Sequence, residues 1–283
     1  MTGQSPGSAV LRIRLGTQLR RLREARGVTA QHAAKAIRGS ESKISRIELG
    51  RHAAREVDVD DLLTLYGVTD PARREALLAL ASQASAPAWW RSHSDILPSW
   101  YRTYLGLEEA ADVVLGYDSH FMPGLLQTDD YAAGLLAIGG LTASERDRLM
   151  QVRAERIRRF AARGWRLLAV IDESVLHRPV SSQQVLRAQL AELADASRRP
   201  GIAVQIRPLA AGAPTTPVGF TILRFADPEL ADVVYTEQLT SASYLDRPAD
   251  VSRYAMALDQ MSSGCPPAER TADTITAVLR RPG

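Results

Sequence analysis

One cysteine, Cys265, stands among the 283 residues, so an internal disulfide framework is excluded. Lysine is nearly as scarce: Lys35 and Lys43 are the only two, and arginine supplies the other 33 basic residues. No apolar run approaches the roughly 18 residues of a membrane span. The opening stretch MTGQSPGSAVLRIR lacks an apolar core of signal-peptide length. The histidines are His32, His52, His93, His120 and His177, and none has a His or Cys at ligand spacing, so no metal is expected. GxSxG, P-loop and GxGxxG motifs are missing, and with them the common signatures of hydrolase, nucleotide and dinucleotide chemistry. These absences leave the expectation of a soluble cytoplasmic protein with no cofactor and no membrane partner.

What is present is a chain long enough for two domains, with a hydrophobic fraction of 45% that can build a real core. Its net charge is only +3, but residues 1–55 hold 12 Lys and Arg against 3 Asp and Glu, a local +9 that leaves −6 on the remainder. A small basic head on a mildly acidic body is the asymmetry expected when one domain meets polyphosphate.

The head has helical periodicity. Leu15, Leu19 and Leu22 form one apolar stripe with arginines around it, and Gly27 stops that helix. Thr29 can cap a second helix whose Ala33, Ala34 and Ile37 face inward. A Gly-containing turn follows at Arg38–Gly39. Ser40 then caps a third helix that runs to about Leu49 and ends at Gly50. Two more helices are expected near 57–66 and 71–84, with Pro71 suited to a first turn. The stretch SQASAPA (82–88) reads as a linker.

Beyond it the pattern mixes helices and strands. Helices are expected at 128–137, at 142–164 with many arginines, at 181–197, near 248–262 and at 267–280. Strands are expected at 165–172 and 202–209, and GFTILRFA with DVVYTEQ forms an antiparallel hairpin around DPEL. The expected fold class is multidomain: an all-α, five-helix head (1–84), a linker (85–99) and an α+β body (100–283) with a small, mainly antiparallel sheet.

In the third helix, Ile44 and Ile47 lie together on the core side. The opposite face carries Ser42, Ser45 and Arg46, with Glu41 and Lys43 on its borders. Short polar residues let a backbone come close to base edges, and a forked Arg reaches guanine O6 and N7, so this face suits the major groove. A solvated surface helix would explain the same polar residues taken singly; the preceding helix, the turn and the basic head favour DNA.

VTAQHAAKAIRGSESKISRIELGR (28–51) resembles the helix-turn-helix of the lambda-repressor-like, or Xre, regulators. Thr29, Gln31, Ala34, Ser40, Ser42, Ile44, Ser45, Arg46, Ile47, Glu48 and Gly50 carry the likeness. Three positions depart from it: Arg38 precedes Gly39 in the turn, Ala30 stands where Gln usually opens helix two, and Leu49 replaces the common Asn before the last Gly. The body is similar to the domain of unknown role appended to actinobacterial Xre regulators of the WhiJ type, most specifically in PGLLQT (123–128) followed by Tyr131. These resemblances imply a regulator of transcription, often encoded beside a small partner protein. The expected DNA-binding residues are Gln31, Ser40, Glu41, Ser42, Lys43, Ser45, Arg46 and Arg51.

Other chemistries are weaker. Asp172 and Glu173 end a strand, where enzymes keep carboxylates, but strand ends also cap helices, and no catalytic role is expected. Trp89 and Trp90 beside Arg91 suit a linker anchor better than base stacking. The Arg-rich helix is interleaved with Glu145, Asp147 and Glu155 and reads as a solvated face. Met122 to Leu126 with Tyr117 reads as core. A pocket between helices and sheet could receive a signal, and the loop 210–219 could form its rim, although a flexible surface loop is the commoner case for such a stretch. The expected partners are double-stranded DNA, a second copy, and a small protein or small-molecule effector. The head's apolar residues are all needed for its own core, so the dimer is expected in the body, with Ile275, Val278 and Leu279 as one spare stripe. The alternative is an antitoxin-like protein that mainly binds a small neighbour-encoded protein.

Overall fold

The computed structural model describes residues 8–50, 52–85, 88–164, 166–228 and 230–280. Contacts divide the chain into two units, Met1–Ala110 with Phe225–Leu230, and Ala111–Arg224 with Ala231–Gly283.

The first unit holds α1 (Ser8–Ala25), α2 (Ala30–Ala36), α3 (Glu41–Glu48), α4 (Glu56–Leu65), α5 (Pro71–Ala84) and α6 (Ser99–Ala110). The first five are the expected helices, with α1 beginning earlier than its leucine stripe implied. Their starts follow the cap chemistry: the Thr29, Ser40 and Asp70 side chains accept backbone N–H bonds from His32, Lys43 and Ala72. Leu15, Leu19, Ala33, Ala34, Ile37, Ile44, Ile47, Leu62 and Leu63 share one core. Trp90 is buried and meets Trp89 edge to face, with ring centroids 5.3 Å apart. Ala86 and Pro87 of the expected linker lie outside the described residues.

Four helix ends in this unit are closed by a left-handed residue, and one of the four differs. Gly27, Gly50 and Gly67 take left-handed backbone at the ends of α1, α3 and α4 (φ 64°, 65° and 69°). After α2 the left-handed residue is Arg38, at φ 50°, and not Gly39. The Gly39 N–H bonds to the Ala34 carbonyl (2.8 Å) and the Arg38 N–H to that of Lys35 (3.1 Å), so a side-chain-bearing residue closes the helix in a position where glycine fits without strain.

The second unit holds β1 (Val113–Asp118), α7 (Asp129–Ile138), α8 (Ala143–Ala162), β2 (Leu167–Asp172), α9 (Gln183–Ala196), β3 (Ile202–Arg207), β4 (Phe220–Arg224), β5 (Val233–Glu237), β6 (Ala242–Leu245), α10 (Pro248–Ser263) and α11 (Thr271–Arg280). The α+β class is as expected. The sheet is mixed, in the order β3-β2-β1-β4-β5-β6. Its β3-β2-β1 part is parallel, and β1-β4-β5-β6 is antiparallel, including the expected β4–β5 hairpin. Trp165 and Glu229, at the expected starts of β2 and of that hairpin turn's second half, lie outside the described residues.

Strand alternation sends Tyr117 to one face with Val170, Phe220, Ile222 and Val234, where Leu258 and Met261 of α10 cover it. Met122, Leu125, Leu126 and Tyr117 are core, as read from the sequence. Of the stripe Ile275, Val278 and Leu279, Ile275 is fully buried where α11 packs on α9 and β3, and Val278 and Leu279 are half-buried.

Candidate nucleic-acid interface

The geometry of α3 begins with what seats it. Ile44 and Ile47 are 1% and 2% exposed, and burying each contributes roughly 1.5–3 kcal/mol. Helix α1 crosses behind α3 at Gly16, where an added Cβ would lie 2.3 Å from the Ile47 carbonyl oxygen. Only hydrogen fits there, because the obstacle is backbone.

Two ion pairs fasten the ends of α3. At its C-terminus, Arg23 grips the buried Glu48 with two bonds, Nε to Oε1 at 2.6 Å and Nη2 to Oε2 at 2.9 Å, and donates a third to the Val28 carbonyl. Two parallel bonds fix the angle between helices as well as their distance. Nearer its N-terminus, Lys43 Nζ lies 2.8 Å from Asp58 Oδ2, and Arg55 holds both oxygens of the same carboxylate. The Arg55 hydrogen bond, with Lys43 adding, holds the Asp58 carboxyl below its usual range.

The predicted site residues therefore fall into two groups. Gln31, Glu41, Ser42, Ser45 and Arg46 are exposed, and among the described residues the Arg46 guanidinium bonds within its own helix, Nε to the Ser42 carbonyl at 3.1 Å. Ser40 caps α3, and Lys43 bridges α3 to α4, so both already have a structural duty. Arg51 lies outside the described residues. Sequence reasoning missed Gly16, although a lone glycine inside a leucine stripe is a recognisable signal of close approach. It also missed Asp58, which no local pattern links to Lys43.

The remaining candidates are engaged elsewhere. Asp172 accepts the Ser174 N–H at 3.1 Å, the cap role weighed for it, and sits 3.7 Å from Arg207. Glu173 accepts the Leu209 N–H at 2.9 Å. The start of the 210–219 loop is tied to Arg207, which donates to the Ala211, Gly212 and Ala213 carbonyls. No group of three or more His, Cys, Asp or Glu among the described residues could hold a metal ion, and no helix among them is long and apolar enough to cross a membrane.

The PGLLQT segment is a fastening. Gln189, fully buried on α9, donates to the Leu126 carbonyl (2.8 Å) and accepts the Thr128 N–H (2.7 Å). Gln127 donates to the Met122 carbonyl, and the Tyr131 hydroxyl accepts the Met122 N–H. Arg153 of α8 binds the Gln127 carbonyl and Asp129.

Two family models match the chain. Residues 14–77 match the family model described as a helix-turn-helix domain, HTH_31. Residues 101–277 match the one described as a domain of unknown function, DUF5753. No curated protein and no solved structure matches the chain. The second match covers more than half of the sequence, so the chain belongs to the DUF5753 family and carries a helix-turn-helix domain ahead of that body.

Proposed function

We propose that the chain is a sequence-specific, DNA-binding transcriptional regulator of the cytoplasm, with an Xre-type head and a WhiJ-type body. The observation that carries this is α3: a helix held at both ends whose outward side chains, Ser42, Ser45 and Arg46, are bound to no other element among the described residues. In this reading Arg46 donates to guanine O6 and N7, the serines let the helix sit deep in the major groove, and Gln31 and Arg51 meet phosphates. Ser40, Glu41 and Lys43 line the same end, with Lys43 steadied by Asp58. Residues 1–84 form the reading head, 85–99 the link, and 100–283 the part that pairs two copies and receives a signal. Pairing matters because one head buries too little surface for selectivity, and half-sites about 34–36 Å apart need two. No catalytic step belongs to this function. Genome-wide mapping of binding sites tests it: a recurrent paired motif is expected, and scattered occupancy without one would refute sequence-specific reading.

A second reading, an antitoxin-like protein that mainly binds a small neighbour-encoded protein, draws on one observation. Phe121, Leu209, Val218 and Leu239 are exposed, by 46%, 59%, 44% and 98%. Strand directions put all four at one end of the sheet, beyond the ends of β1, β3 and β5 and before the start of β4. Calorimetric titration of the chain with the product of any small adjacent gene, in the wild type and in Leu239→Asp, discriminates the two readings.

A further inference from the structure

We propose that Arg38 is a DNA-phosphate contact, held at the helix-turn-helix turn by a backbone conformation that glycine would adopt more readily. The inference rests on the DNA-binding reading above and adds a residue to it. Three of the four left-handed helix ends in the head carry glycine, and only the one between α2 and α3 carries a long cation. Residues kept in sparsely populated backbone regions cluster where a side chain has a task. The task is not internal. Most other cations around α3 are committed to the frame: Arg23 to Glu48, Arg26 to the Tyr66 carbonyl, Lys43 and Arg55 to Asp58, and Arg74 to Asp60. Arg38 is exposed and its guanidinium has no hydrogen bond or ion pair among the described residues. It stands two residues ahead of Ser40, the cap of α3, and so at the end of the helix that carries Ser42. The helix cap fixes its backbone through the Arg38 N–H bond to Lys35, so the guanidinium is carried on an anchored base. A free, delocalised cation beside the groove-facing end of α3 suits a phosphate oxygen.

The test is fluorescence anisotropy with a random-sequence duplex of about 24 base pairs over a salt series, using the full chain. Arg38→Gln and Arg38→Lys keep the same backbone demand and differ in charge. Arg73→Gln removes one charge from an exposed position on α5, which packs on α1 and α4. If Arg38 binds phosphate, Arg38→Gln lowers the slope of log affinity against log salt by about 0.9 and weakens binding roughly tenfold at 50–100 mM salt. Arg38→Lys then retains the wild-type slope, and Arg73→Gln changes it little. An Arg38→Gln chain with the wild-type slope, or one indistinguishable from Arg73→Gln, overturns the proposal while the DNA-binding reading stands. A wild type with no salt-dependent affinity for the duplex overturns that reading and this inference together.

Discussion

Helices α8 and α3 differ in what their arginines touch. Helix α8 has far more charge than α3, yet none of its arginines is without a partner. Arg146 binds the Leu141 carbonyl, Arg153 the Gln127 carbonyl and Asp129, Arg158 and Arg159 share Glu155, and Arg148 and Arg156 have contacts of their own. Glu155 is held at a pKa of about 2 by the Arg158 hydrogen bond first and Arg159 after it. Helix α3 presents one arginine and two serines whose side chains are bound to no other element among the described residues. Between these two, counting charge would point to α8. Asking which donors remain available points to α3, and this is the better guide to a surface meant for another molecule.

The comparison can be broken most severely at Gly16. Gly16→Val forces α1 away from α3, and we expect a loss of about 3 kcal/mol or more in the head together with loss of DNA binding. Thermal unfolding of the head followed by circular dichroism measures it; an unchanged melt would mean that α3 does not depend on that crossing.

A smaller effect is expected at Arg46. Arg46→Ala should cost about 1–3 kcal/mol on the cognate site and blunt discrimination at one base pair. Equal loss on cognate and random duplexes would make Arg46 a phosphate contact instead.

In α8 the expectation reverses. Arg153→Ala removes the donor to the Gln127 carbonyl and Asp129, so the body should lose about 1–2 kcal/mol in stability while affinity for DNA stays the same. Reduced DNA affinity in a still-folded variant would show that α8 belongs to the interface after all.

The two units should also answer pH with opposite signs. Asp58 titrates below its ordinary range, so its contribution to the head is present above the unfolded value, near 4, and fades as pH falls through the folded one. Asp118, at the end of β1, is half-buried, and that burial pushes its carboxyl up to about 7. Its folded pKa exceeds the unfolded one, so stability is fully present below about 4 and is lost as pH rises through about 7. Asp118→Asn should flatten the body's stability between those values, by about 1 kcal/mol given the residual solvent contact of the side chain. A wild-type body whose melting temperature does not fall across that window would remove this asymmetry.

The head was largely legible because its signals are local: a leucine stripe, caps at Thr29 and Ser40, and glycines a few residues past each stripe. Its ion pairs were not, since Lys43 and Asp58 are fifteen residues apart and nothing in either neighbourhood announces the other. In the body, β1 was missed because Val113–Asp118 follows α6 after only two residues, contains Gly116 and ends in a carboxylate. The short β6, with every residue half-buried, shows no alternation. The parallel half of the sheet was hidden for a further reason. Whether β2 pairs with β1 or with β4 is decided by how the intervening helices cross over, and strand composition does not encode that choice.

The Gln189 fastening also gives the body a clock. The Thr128 amide hydrogen points at a side-chain oxygen on a helix 61 residues later in sequence, and that side chain is shut away from water. Such a hydrogen cannot swap with deuterium through fraying of its own loop. It must wait until α9 and the PGLLQT segment part, so its exchange rate counts those separations directly. Whatever binds the body and steadies it would slow that single count, and would be detectable there before its own site is known.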